Sequence, residues 1–377
     1  MARRDTLIGR SIVYAILTVR YEGRSAKRPS IVARALRLFR IYWLTFRLVR
    51  PDLFRALRGV WAIEDEDYKA SFSAVSDRKD KKKGKDALHA MGDMGYSGST
   101  FFRTSDSAYL IKSIPRHFEH EFFKNDMLLP YAEHMQTHSH SLLVRITDFL
   151  ESAHKSIGLL LGLTPSHHIV MENILYGQDQ ESEDGNQSRF ESWDLKPSSY
   201  FFPERDVAGG ALTSEATKSK LADEFDDKLI LTKSQADEFS QQLEKDTQLL
   251  ADCNAVDYSL FLVRISAVDA PDPQDQPALE PGQASNEPIP PAQPPFAPPG
   301  PPTWRTGITS SNGKEVYRAA VLDFFWAKHT LHAKAMTGLV RGYNLIDEQG
   351  HMSITTGSKE YRQRFLKMCT EMVKVDE

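Results

Sequence analysis

Cysteine is almost absent: Cys253 and Cys369 are the only two in 377 residues. Two cysteines build neither a disulfide framework nor a zinc ligand set, which favours a reducing compartment. Long apolar runs are missing as well. The longest early one, Ile12 to Val19, falls far short of the ~18–20 residues that a membrane span needs. Arg10 and Arg20 bracket it, Asp5 and Arg10 interrupt the approach to it, and no small-residue cleavage site follows. Neither a spanning helix nor a signal peptide is expected. The histidines, including those of HMQTHSH at 134–140, follow no ordered metal-ligand spacing, and that stretch reads as a polar loop before a strand. There is no internal repeat, no H-R-D and no D-F-G, so the protein-kinase signature is absent.

An apolar content of 41% with 26% charged residues predicts a folded core. The length suits one large two-lobed domain or two ordinary ones. The net charge of −4 hides an asymmetry. Residues 1–61 hold 14 Lys+Arg against 3 Asp+Glu, a balance of +11, which leaves −15 for the rest. A basic front end suits an anionic membrane surface or nucleic acid, and equally a solvated helix face. No nucleic-acid motif accompanies it, so no nucleic acid is expected.

Apolar positions at helical spacing (Leu7, Ile8, Ile12, Ala15, Ile16, Val19) predict a helix over 5–20. A second helix is expected over 30–48, with Ser30 as N-cap and Arg34, Arg37 and Arg40 along one side. Such helices can rest on anionic lipid or pack with an arginine face. Pro51 marks a break before the short helix DLFRALRGVW. The charge run DRKDKKKGK at 77–85 reads as a solvated loop. STFFRT and AYLIKSI flank a polar turn and predict a hairpin. A helix follows around 116–129, then the apolar segment SLLVRITDFL and a strand in HHIVMENILYG. Helices are expected over 235–252 and in SKEYRQRFLKMCTEMV. Residues 271–302 hold 13 of the 20 prolines and read as a disordered, partly polyproline insert.

Four pieces carry chemistry. GDMGYSGS at 92–99 places Gly92, Gly95 and Gly98 three apart. Glycines at a hairpin top let backbone N–H groups approach phosphate oxygens, although a plain surface turn has the same composition. Lys112, among apolar strand neighbours, needs an anion: a phosphate, or a helix carboxylate such as Glu121. A lysine reaching solvent from an edge strand is the plain alternative. Asp257, at the head of DYSLFLVRI, and Asp323, in AAVLDFFW, are carboxylates at the ends of apolar runs. Either alone reads as a turn or cap residue. In this order the pieces form a toolkit for phosphoryl transfer from ATP, with one aspartate for the acceptor hydroxyl and one for Mg²⁺.

These residues resemble the phosphatidylinositol phosphate kinases. VDYSLFLVRI is similar to the family's M-D-Y-S-L-L, with Val256 and Phe261 as departures. SWDLKPSS resembles D-L-K-G-S, with Pro197 in place of glycine. VLDFF resembles I-I-D, and GYSGSTFF resembles G-K-S-G-S-x-F-F, with Tyr96 replacing lysine. LIKSI, FRALRGVWAIEDEDYKASFS and SKEYRQRFLKM are similar to further family segments, so the resemblance runs from about Thr6 to Met372 outside the proline insert. It implies an α+β, two-lobed kinase-like fold with mainly antiparallel sheets, an N-terminal lobe over 1–175 and a C-terminal lobe over 176–377. It also implies ATP and Mg²⁺, and a phosphoinositide acceptor on an anionic membrane surface, most simply the cytoplasmic face of the plasma membrane. A homodimer through N-terminal elements is a further implication.

Carried over by motif, Asp257 is expected as the catalytic carboxylate. Lys196 is expected near the reacting phosphates, with Asp194 beside it. Gly95, Ser97, Gly98, Ser99 and Lys112 are expected at the nucleotide, Glu121 as the partner of Lys112, and Met171 and Asn173 at the adenine. Asp323 is expected to hold the metal. Lys328, His329, Leu331, His332 and Lys334 fall in the activation segment, where the family's usual selector residues are missing and the acceptor lipid is left unassigned.

Overall fold

The computed structural model describes residues 3–19, 44–73, 87–93, 99–154, 156–178, 188–197, 223, 225–267, 303–327 and 356–376. Gly95, Ser97 and Gly98, the charge run 77–85, the proline-rich insert 271–302, and Lys328, His329, Leu331, His332 and Lys334 lie outside them, as do residues 30–43 of the second predicted helix.

The first helix forms as its periodicity predicts. In α1 (Arg3–Leu17), Ile8, Ile12, Ala15 and Ile16 are buried against Leu44, Leu88 and Phe102, so this apolar stripe is core and not a free lipid-facing surface. The predicted 30–48 helix is corrected at its end. Phe46–Leu48 is strand β1, paired antiparallel with Leu150–Ser152. Thr45 and Phe46 follow a Tyr–Trp pair, a composition that fits a pleated, half-buried surface. Pro51 begins a helix instead of only breaking one. It occupies the first turn of α2 (Pro51–Val60), where its missing N–H leaves no helical bond unmade. Helix α3 (Asp65–Ser71) follows.

Strands β2 (Leu88–Asp93), β3 (Thr100–Thr104) and β4 (Tyr109–Ser113) form a meander that includes the predicted hairpin. The predicted 116–129 helix runs further. Helix α4 (His117–Phe122) passes through a π-helical turn, Phe123–Met127, into α5 (Leu128–Thr137). The widened turn sits before Pro130, which cannot donate to the carbonyl four residues back and crowds it. His134 is therefore helical and buried, with Nε2 2.6 Å from Asp246 Oδ1, and not part of a polar loop. Strand β5 (Ile146–Ser152), the one-turn helix α6 (Ile157–Leu160) and β6 (His167–Glu172) complete this half. The six strands form one antiparallel sheet in the order β1-β5-β6-β4-β3-β2.

Beyond it come β7 (Ser188–Leu195), β8 (Leu229–Leu231) and the 20-residue α7 (Lys233–Asp252). Thr232 and Gln235 close a capping box on α7, which fixes where it starts. Then follow β9 (Ala255–Val256), β10 (Ser259–Ala267), β11 (Ile308–Thr309), β12 (Glu315–Leu322), β13 (Trp326–Ala327), α8 (Ser358–Glu371) and β14 (Val373–Val375). A second antiparallel sheet has the order β11-β12-β10-β7. The ladders β13-β9 (antiparallel) and β14-β8 (parallel) stand apart. The two main sheets meet where Val321 N–H donates to Leu142 O (2.7 Å) and Val144 N–H donates to Val321 O (3.1 Å). One apolar core runs beneath both. The expected α+β, mainly antiparallel, kinase-like architecture is present.

Two buried polar groupings stiffen the first sheet. Arg58, 1% exposed, donates to Thr147 O (2.8 Å), Asp148 Oδ2 (3.2 Å) and Asp65 Oδ1 (2.8 Å), and Tyr68 donates to Asp148 Oδ2 (2.7 Å). Burial pushes the Asp148 carboxyl up to about 6 in spite of Arg58. Truncating Arg58 to Met leaves Asp148 without its cation. We expect a loss of about 3–5 kcal/mol in urea unfolding at pH 7.

His120, His167 and His168 form the second grouping. The rings of His120 and His167 stack at 3.6 Å. Burial first, then neighbouring positive charge, lowers them to about 4, about 3 and about 3. Their contribution to stability is complete above their unfolded pKa near 6.5 and fades as pH falls toward 4. Asp148, being raised, works in the opposite sense between about 6 and 4. Near pH 5 unfolding should take up a net of roughly two protons, so stability should fall by roughly 3 kcal/mol per pH unit. Urea midpoints measured from pH 7 to 4.5 check this, and a flat profile contradicts it.

Candidate active site

Asp257 and Asp323 occupy equivalent bends of one double ribbon. Strand β9 pairs with β13 (Val256↔Trp326) and β10 pairs with β12 (Ser259↔Leu322). Between these ladders each chain turns through one aspartate with positive φ, 65° at Asp257 and 62° at Asp323. Outside glycine, Asn and Asp tolerate this conformation best. Asn254, two residues past the end of α7, takes it too at 60°. Phe324 and Phe325 are buried just beyond Asp323 and hold its bend. The residue type that suits the backbone is thus also the one that brings a carboxylate to the bend.

Two lysines reach these carboxylates from different sheets. Lys112, in β4 between Phe101 and Ile169, forms an ion pair with Asp323 across 211 positions of sequence. Lys196, the first residue beyond β7, places Nζ 3.0 Å from Asp257 Oδ2. Pro197 follows where the β7–β10 ladder has already ended at Leu195↔Leu260, so its missing N–H removes no ladder bond. Lys112, Lys196, Asp257 and Asp323 all line one cleft, with Ser99, Ser113, Arg116, Glu119 and Trp326 among the other walls.

The Asp323 side chain is 39% exposed into that cleft. Burial raises its carboxyl pKa, but Lys112, joined by Lys196 and Arg116, outweighs it, and the group titrates below the ordinary aspartate value. Asp257 is 7% exposed.

Several expected residues stand elsewhere. Glu121 is not the partner of Lys112. Its carboxylate accepts from Asn125 (2.8 Å), and Glu119 is the α4 carboxylate on the cleft wall, 3.2 Å from Arg116. Asp194 lies in β7 opposite Phe261, its amide donating to Asp223 (2.7 Å), and is not among the lining side chains. Ser99 is on the wall. Gly95, Ser97 and Gly98 belong to the connection between β2 and β3, whose last pair is Asp93↔Thr100. Met171 and Asn173 sit away from the Lys112 level of the sheet. Met171 pairs with Leu110, and Asn173 donates to Ser107 O (2.7 Å).

Arg116, Glu119 and Trp326 were not anticipated. Arg116 lies 6.0 Å from the Trp326 ring centroid. The available signal was proximity in sequence, four residues after Lys112 and three after Asp323, but neither spacing is diagnostic.

The arrangement predicts a measurable coupling. In Lys112→Met the Asp323 carboxyl loses its main cation while its burial remains, so its pKa should rise by about one unit or more. Carboxyl ¹³C titration of the two proteins reads this directly. Because the pKa is depressed in the native fold, the pair's stabilisation holds above the unfolded value and is lost as pH falls through the folded one. An unshifted Asp323 would show that Lys112 does not set its charge.

A family model described as phosphatidylinositol-4-phosphate 5-kinase matches residues 82–372. A probable phosphatidylinositol phosphate kinase of Dictyostelium discoideum is 26% identical over 219 residues, 56% of this chain and 26% of that protein. Phosphatidylinositol 4-phosphate 5-kinase 4 of Arabidopsis thaliana is 27% identical over 56% of this chain and 24% of its own length. Phosphatidylinositol 4-phosphate 5-kinase-like protein 1 of Mus musculus is 25% identical over 55% of this chain and 46% of its own. This chain thus spans from a quarter to just under half of these relatives. With the family model covering most of its length and both motif aspartates meeting in one cleft, the chain belongs to the phosphatidylinositol-4-phosphate 5-kinase family.

Proposed function

We propose that the chain transfers the γ-phosphate of ATP to an inositol-ring hydroxyl of a phosphatidylinositol monophosphate, making a bisphosphate. The observation that supports this most is the convergence of Lys112, Lys196, Asp257 and Asp323 on one cleft. Lys112 and Lys196 would bind nucleotide phosphates, exchanging their present carboxylate partners for phosphate oxygens. Asp257 would orient the acceptor hydroxyl and receive its proton as the oxygen attacks phosphorus and the bond to the β-phosphate breaks. Lys196, beside Asp257, would hold the transferred group within reach.

The residues fit a magnesium ion. Mg²⁺ is ordinarily held by one or two carboxylates together with substrate phosphates, not by a closed protein cage. Among the described residues no cluster of three metal-binding side chains exists, whereas Asp323 offers a partly exposed carboxylate. Asp323 would hold the ion, which supplies neutralisation of phosphate charge when bound. Met171 and Asn173 lie two and four residues along β6 and its extension from Ile169, the partner of Lys112. At 3.2–3.4 Å per residue that is roughly 7–13 Å, a span that an extended nucleotide reaches.

On this reading residues 1–175 form the nucleotide-side lobe and 176–377 the lobe that carries both aspartates, and the protein works at the cytoplasmic surface of a membrane. No helix among the described residues is long and apolar enough to cross one.

The test is incubation with ATP, Mg²⁺ and liposomes carrying each phosphatidylinositol monophosphate in turn. Asp257→Asn suits the left-handed backbone as Asp does, so it removes the charge and keeps the bend. It should lower turnover by about 10²–10⁴ in a protein that still unfolds cooperatively, at a midpoint lowered by loss of the Lys196 pair. Asp323→Asn should lower it comparably and raise the Mg²⁺ requirement. Lipid binding without product on every lipid would instead identify a phosphoinositide-binding scaffold and refute the kinase reading.

A further inference from the structure

The loop between β5 and β6 carries the largest exposed apolar group among the described residues. Leu160 is 68% exposed, Leu161 66% and Leu163 40%. These leucines are held in a fixed conformation. Ser156 caps the turn through Leu159 N–H (3.3 Å), and Leu160, Leu161, Gly162 and Leu163 N–H groups donate to Ser156, Ile157, Leu159 and Gly158 carbonyls at 2.8–3.1 Å. The last two bonds, with Gly162 at φ 67°, make a Schellman closure. Leu159 packs inward on the core while its neighbours face out. A turn so completely bonded, presenting leucines to water, is built to keep them there.

Two further observations say what meets them. The first is charge. No acidic residue occurs between Ser152 and Met171, and Lys155 precedes the turn. The loop's base is joined to the residue just ahead of β1, since Ala153 N–H donates to Thr45 O (2.8 Å). The second is position. The loop enters β6 at His167, the end of that strand nearest the cleft wall. Ser113 pairs with His168, Ile114 N–H donates to His167 O (2.9 Å), and Ser113, Ile114 and Arg116 line the cleft.

We propose that residues 157–163 form an apolar tip that inserts among the acyl chains of an anionic bilayer, at the end of the six-stranded sheet where Ser113 and Ile114 reach the cleft. Apolar residues with a lysine beside them and no acidic residue in the loop suit the boundary between headgroups and acyl chains. Three leucine side chains offer far less than the ~800 Å² per partner of a stable protein interface, which favours lipid over a second copy. This rests on the lipid-kinase reading for the choice of a bilayer, but its measurement needs no catalysis.

The experiment compares the full chain with Leu160→Ser/Leu161→Ser on vesicles of phosphatidylcholine with about one-fifth phosphatidylserine, by co-sedimentation. The expected result is at least a tenfold weaker partition for the double variant, with an unchanged thermal midpoint and unchanged turnover of a detergent-dispersed monophosphoinositide. In Leu161→Trp the additional fluorescence should shift to the blue on these vesicles and be quenched by brominated acyl chains. Equal partition of the double variant, or unquenched fluorescence in Leu161→Trp, overturns the proposal. So does a dimer in solution that the double variant dissolves while its partition stays the same. Leucine-dependent partition without turnover on any lipid leaves the tip standing and refutes the kinase reading alone.

Discussion

Two strands that bend at the same level, each through an aspartate in a left-handed conformation, set the geometry on which the cleft depends. Had only the β9–β10 chain bent at Asp257, the β9–β13 ladder could not form opposite it; with the paired bend at Asp323 the pairing resumes after two residues of one chain and three of the other. The bends bring two carboxylates to one cleft, and like charges at close quarters are unfavourable. The fold answers with one lysine from each main sheet: Lys112 from the six-stranded sheet at Asp323, and Lys196 from the edge strand of the other at Asp257. The Lys112–Asp323 pair is therefore also a contact between the two main sheets, whereas Lys196 and Asp257 meet within the smaller one.

That coupling bears on the proposed chemistry. A triphosphate entering this cleft competes for both lysines with carboxylates that already hold them. On the proposed reading, nucleotide binding exchanges two protein ion pairs for phosphate contacts and leaves the carboxylates available to metal and hydroxyl. Arg116, itself held by Glu119 and lying near the Trp326 ring, contributes a third positive charge to the field at Asp323. The resting cleft is thus close to charge balance, a favourable starting point for binding an anion together with its own counter-cation.

How much of this was legible depends on the range of the determinant. The bends were legible, because a carboxylate at the end of an apolar run is a local pattern and its motif is distinctive. The partner of Lys112 was not. The lysine required an anion, but only the pairing of β10 with β12 brings Asp323 across 211 positions. Glu121 and Glu119 differ by two positions on one helix, about 200° of rotation, so a shift of two residues moves a carboxylate from cleft to solvent. The helical course of His134 was hidden by its polar neighbours. It is settled by Asp246 of α7, which receives His134, Ser141 and the Leu142 amide together. The strand Phe46–Leu48 was lost to the arginine periodicity before it, since its pairing partner is a hundred residues away.

The same register explains where a long segment can be accommodated. Asp257 stands at the near end of β10, whereas residues 268–302 leave from its far end, after Ala267. Nine strand residues separate the two, roughly 25–30 Å at the usual rise. The chain is captured again as soon as it returns. Arg305, 6% exposed, donates to the carbonyls of Ser141 and Leu143 and pairs with Glu172, and Ala319 N–H donates to Trp304 O (2.7 Å). Because both ends of the segment are fixed by β10 and by this anchor, lengthening it adds only a slowly growing loop entropy and moves neither aspartate. A proline-rich stretch that separates the two key carboxylates in sequence therefore does not separate them in the fold: the β10–β12 ladder holds their spacing, and the intervening chain is attached at the opposite end.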